Sequence, residues 1–270
     1  MMSRFPNWFQ SESERQASGY DLTPLPELHH RENLLEQLQT ASFTDQPRSS
    51  AAVCLRPAGR PLMVAIPRAY EPGYAYPLLI WLHGEGRTES ELERIMPQMT
   101  DRNFFGLGFR GNASAATLLP GGRTWQTDDS SVEDFCSQLH DVVCQLRQEY
   151  HIHSERIFIG GFGTGAEMAL SALLTRPEWF AGGVALGGML PDGYSVASSY
   201  DALRHKRVLL GTGARDSRTS AESIQATSQL LNCTGVSVTS RIWRGGHELT
   251  TEMLNDINQW VMESIFSSVG

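Results

Sequence analysis

Three glycines within five residues, Gly161-Phe162-Gly163-Thr164-Gly165, join an apolar run at 156–160 to a helical stretch at 166–174 that stops short of Pro177. A strand that turns straight into a helix belongs to a parallel sheet, whose successive strands need a crossover rather than a hairpin. The rest of the chain keeps that rhythm. From Ala52 onward short apolar runs alternate with amphipathic segments, which is how a mostly parallel sheet with helices on both faces reads. Candidate strands are 62–66, 77–82, 103–109, 156–160, 183–186, 207–210 and 237–243. Candidate helices are 89–99, 166–174, 219–231 and 250–266, plus one of about five turns with Val132, Phe135, Leu139, Val142, Val143, Leu146 and Tyr150 on one face. A long loop to about residue 131 carries Pro120-Gly121-Gly122 and Trp125, and loops of that length inside a compact domain commonly serve function.

The fold class expected is therefore α/β, with one domain over residues 51–270. Residues 1–50 are polar and rich in Ser, Gln, Glu and Pro, and read as an arm. Their one amphipathic stretch, 25–38, carries Leu28, Leu34 and Leu35, which either cover a local core or contact a partner. With 270 residues and 40% hydrophobic content the chain has enough apolar surface for one core. A formal net charge of −8 and the lack of a Lys/Arg cluster argue against a nucleic-acid partner. No stretch approaches the apolar length of a membrane span and no apolar run opens the chain, so a cytoplasmic location is expected. Cys54, Cys136, Cys144 and Cys233 are scattered and are expected to be reduced and buried. His29-His30 and His151-Ile152-His153 lack the Cys or carboxylate partners of a metal site and read as loop histidines; neither metal nor cofactor is called for.

Three segments lie just beyond the ends of candidate strands. The first is the glycine turn, which has the form G-x-S-x-G with Gly163 in the serine's place. The second is Gly211-Thr212-Gly213-Ala214-Arg215-Asp216, whose acid could orient an imidazole or cap the following helix. The third, Gly245-Gly246-His247-Glu248, puts a candidate general base before the last helix, unless His247 is merely a hydrogen-bonded histidine at that helix start. The chain order is nucleophile position, acid, histidine.

On these residues the region from about 60 to 266 resembles an α/β-hydrolase of the carboxylesterase/phospholipase type, with relatives among esterases and dienelactone-hydrolase-like proteins. The resemblance implies a three-layer α/β-hydrolase fold. It also implies a strand followed by His-Gly-x-Gly, matched by His83-Gly84-Glu85-Gly86, so that the backbone N–H groups of Glu85 and Thr164 would form an oxyanion hole. Asp216 and His247 match the family's acid and base, and the implied ligand is a small ester or acid.

Gly163 is the departure. The elbow position disfavours any residue with a Cβ, and a glycine there relieves the strain while removing the only atom able to form an acyl-enzyme. The expectation is a catalytically impaired homologue that keeps Asp216, His247 and a ligand pocket. The alternatives are an active hydrolase, through activated water or with Gly163 an engineered serine-to-glycine change, and a binding module acting through the N-terminal arm. Thr164 is a poor substitute nucleophile, since its hydroxyl is expected to face away from His247. Glu85 would weaken the hole if its carboxylate faced inward, but is expected to turn to solvent or to Arg87. Trp125 either lines the ligand pocket or covers the edge of the core.

Overall fold

The structure is a computed structural model and describes residues 52–55, 62–115, 120–190, 200–204 and 206–266. The stretch 25–38 and His29-His30 lie outside them. Eight strands form one sheet: β1 (Ala52–Leu55), β2 (Leu62–Ala65), β3 (Tyr76–Leu82), β4 (Phe105–Phe109), β7 (Ile152–Phe162), β8 (Gly182–Leu186), β9 (Arg207–Gly213) and β10 (Ser237–Trp243). Their spatial order is β1-β2-β4-β3-β7-β8-β9-β10, and β2 pairs antiparallel with β1 and β4 while all later neighbours are parallel. The remaining strands, β5 (Ala113–Ser114) and β6 (Arg123–Thr124), pair with each other.

The side-chain alternation of β3 shows why three layers form. Leu78, Ile80 and Leu82 enter one apolar cluster, and Leu79 and Trp81 the other. A strand with both faces apolar must be covered on both. The first cluster is completed by α2 (Asp129–Glu149), α3 (Thr164–Thr175), α4 (Tyr200–Leu203) and α5 (Ala221–Cys233). The second is completed by α1 (Glu91–Met99) and α6 (Thr251–Phe266). Asp128 caps α2 by accepting the Ser131 N–H.

Several short elements escape the sequence reading, among them α4, β1 and the β5–β6 pair. No strand was expected before residue 62, yet β1 extends the sheet. The loop to residue 131 contains the β5–β6 pair, whose two-residue strands are too short for any periodicity. This pair braces the turn after β3: the Gly86 N–H donates to Arg123 O at 2.8 Å, and the Arg123 N–H to Arg87 O at 2.9 Å. Cysteine burial is also more varied than expected, with Cys136 buried, Cys144 half-buried beside His140, and Cys233 exposed. His151 and His153 bond to backbone, through Pro72 O and the Glu155 N–H.

Gly165 shows how the sheet and α3 come together. A Cβ there would fall on the carbonyl oxygens of Leu82 and His83, so α3 can start against the end of β3 only with glycine at this point. Gly165→Ala is expected to lower stability by about 3 kcal/mol, seen as a reduced urea midpoint, because the obstructing atoms are backbone and cannot rotate aside.

Candidate active site

Gly163 sits between β7 and α3 with φ 56° and ψ −125°, a backbone state that L-residues rarely adopt. Its N–H donates to Leu186 O at 2.9 Å and its carbonyl accepts from the Ala166 and Glu167 N–H groups, so the elbow is held from both sides. A Cβ on Gly163 would lie 3.4 Å from His247 Nε2 and 3.7 Å from its Cε1. Among the described residues, its chain neighbours apart, nothing else stands within 4 Å of it.

His247 arrives from the loop after β10 and Asp216 from the loop after β9. The His247 Nδ1 to Asp216 Oδ2 distance is 2.9 Å, with the carboxylate side chain 1% exposed and the imidazole 18%. The ring also packs against Phe162, centroids 4.7 Å apart. Burial pushes the Asp216 carboxyl up, but the N–H groups of Thr219 and Arg218, His247 and the Thr212 hydroxyl together outweigh it and hold the group below its usual range. A carboxylate accepting four bonds is fixed in place. It therefore fixes the imidazole, whose Nδ1–H it accepts and whose Nε2 then faces residue 163.

Glu85 and Thr164 flank the elbow. Among the described residues neither backbone N–H meets an acceptor. The Thr164 hydroxyl lies 3.1 Å from that of Thr124, not against His247. The Glu85 carboxylate turns neither to solvent alone nor to Arg87: it pairs with Arg218, 133 residues away in the chain. Trp125 takes the second of its two expected places. Its ring is 5% exposed, packs on His83 and Phe135, and donates its N–H to His83 O at 3.0 Å, so it covers the core and braces the loop.

His83, the first residue of the His-Gly-x-Gly turn, anchors that turn. The Gly111 N–H donates to its Nε2 at 2.9 Å, which leaves the proton on Nδ1 to donate to Gly84 O at 2.8 Å. Burial pushes this imidazole from 6.5 down to about 4, with the bond to Gly84 opposing. The sign follows from linkage: between pH 6.5 and 4 the unfolded chain takes up a proton that the folded chain refuses. Stability is thus full above that window and falls through it by about 3 kcal/mol. The loss from Asp216, held low, comes at more acid pH. Urea midpoints at about pH 7.5 and pH 4.5 should fall much less for His83→Gln than for the unaltered chain; equal falls would remove His83 as the cause.

A family model described as Phospholipase/Carboxylesterase matches residues 73–265. The chain belongs to this family. A rice protein (Oryza sativa subsp. japonica) named "Probable carboxylesterase" is 28% identical over 143 residues, covering 52% of this chain and 53% of that protein, so the match spans about half the curated relative's length. The structure of the Bacillus cereus carboxylesterase agrees with a TM-score of 0.60 at 21% identity, over 77% of this chain and 95% of that one. A carboxylesterase from Mesorhizobium loti gives 0.62 at 18%, over 78% and 98%. At such identities these two speak for the α/β-hydrolase fold. In this phospholipase/carboxylesterase-family chain the turn after β3, the elbow and the loops after β9 and β10 all stand at the carboxyl ends of the parallel strands, where open α/β sheets place their ligands. Among the described residues no helix is long and apolar enough to cross a membrane.

Proposed function

We propose that this chain is a catalytically impaired homologue of a carboxylic-ester hydrolase, able to hold a small ester or carboxylic acid but lacking the atom that would attack it. The observation that carries the reading is the 3.4 Å between His247 Nε2 and a Cβ built on Gly163, the place from which a serine would pass its proton to the imidazole. In this reading Asp216 orients His247, His247 is the base, and the Glu85 and Thr164 N–H groups are the oxyanion donors. Without an oxygen at residue 163 no acyl-enzyme forms.

The same imidazole favours a second, slower reaction. With Nδ1–H given to Asp216, the Nε2 lone pair of the neutral ring faces the space beside Gly163, and a water there could be activated for direct attack. Sites lacking one triad member retain roughly 10³- to 10⁴-fold acceleration over water. The test compares the unaltered chain with Gly163→Ser, using p-nitrophenyl acetate and a fluorophosphonate probe. Labelling and fast turnover confined to the serine variant are expected. Equal turnover by the unaltered chain would overturn the impaired reading, and slow turnover abolished by His247→Ala would establish the water route.

A further inference from the structure

The Glu85–Arg218 ion pair joins two loops that are not neighbours. Glu85 follows β3 and Arg218 follows β9, and the sheet order β3-β7-β8-β9 puts two strands between them. At ~4.8 Å per strand the ends of β3 and β9 are about 14 Å apart, so the pair reaches over the ends of β7 and β8, where Gly163 and Gly187 lie. Both side chains are partly open to solvent, Arg218 51% and Glu85 32% exposed.

This placement answers a difficulty raised by the sequence. A carboxylate on a residue whose own N–H should stabilise an oxyanion works against that task. Its charge is felt nearby: Glu167, in the first turn of α3 and three residues from Thr164, is pushed up by burial and further by Glu85. The backbone of Arg218 also reaches the partner of His247, since its N–H donates to Asp216 Oδ1 at 2.8 Å. One residue thus holds the acid with its main chain and the Glu85 carboxylate with its side chain.

We propose that Arg218 is a positioning residue that keeps this site able to hold negative charge, by acting as the counter-ion of Glu85 across the mouth while tying the turn after β3 to Asp216. The inference rests on the reading of Glu85 and Thr164 as oxyanion donors. It requires a particular sign pattern. Removing Arg218 leaves Glu85 unbalanced and weakens anion binding; removing the charge of Glu85 as well restores it.

The experiment titrates the ¹⁵N-labelled full chain with sodium acetate, following the Glu85 and Thr164 amide resonances. Acetate should shift both. Arg218→Ala should weaken its binding about tenfold, and Arg218→Ala combined with Glu85→Gln should return it to within about twofold of the unaltered chain. A merely structural tie predicts the opposite for the double variant, which would then bind no better than Arg218→Ala; that result overturns the inference. Acetate binding unchanged in Arg218→Ala overturns it too, while leaving the oxyanion reading intact. Acetate that fails to shift those amides in the unaltered chain sinks both. Thermal melts of each variant confirm that the compared proteins are folded.

Discussion

Gly163→Ser is expected to raise the rate of p-nitrophenyl acetate hydrolysis by up to about 10⁶-fold, the factor by which loss of the serine lowers turnover in a complete triad. The gain is large because an imidazole and its carboxylate partner already stand beside residue 163. The His247 Nε2 sits 3.4 Å from the Cβ position, Asp216 holds the opposite nitrogen, and among the described residues, the chain neighbours apart, only that imidazole lies within 4 Å of the Cβ position. The same substitution should lower stability by about 1 to 3 kcal/mol, because a residue with a Cβ is forced to φ 56°. Activity and stability therefore move in opposite directions at one residue. Stopped assays and urea midpoints on the same preparation measure both, and a serine variant that is destabilised yet inert would show that the ligand site, not only the nucleophile, is lost.

Adding Asp216→Asn to that serine variant should remove about 10⁴-fold of the turnover number with little change in KM. Asp216 accepts the Nδ1–H of His247 through Oδ2, and also accepts the Thr212 hydroxyl and the N–H groups of Arg218 and Thr219. An asparagine keeps the shape but presents N–H where an acceptor is needed, so the proton of the neutral imidazole moves to Nε2 and the base is blocked. The readout is the split between kcat and KM. A drop carried mainly by KM would mean that Asp216 shapes the pocket and leaves the imidazole alone.

How far residues alone could lead differs from one part of the site to another. The elbow was legible because its closely spaced glycines stand out between a strand and a helix that carry their own periodicities, although the backbone atoms that demand glycine at residues 161 and 165 include those of the distant Leu82. Asp216 and His247 were legible as candidates because each follows a strand end, and strand ends on one edge of a parallel sheet converge. The β5–β6 pair was not legible, since two-residue strands carry no periodic signal. The anchoring role of His83 has no local signal, because its bond from the Gly111 N–H links segments 28 residues apart.

Glu85 and Trp125 mark the boundary most clearly. Nearby in sequence, Arg87 was an obvious partner for Glu85, but the partner is Arg218, brought close because the loops after β3 and β9 open on the same edge of the sheet. For Trp125 the sequence left pocket and core equally open, and the hairpin decided by carrying the ring onto His83 and Phe135. What the amino-acid order determined by itself is the parallel α/β layout, the order of the three candidate site segments and the absence of an oxygen at residue 163, because periodicity, backbone sterics and covalent composition are local properties. What only the tertiary structure decided is which charges meet across the mouth and which aromatic rings are buried, because those depend on distances between segments that are far apart in the chain and side by side in the sheet.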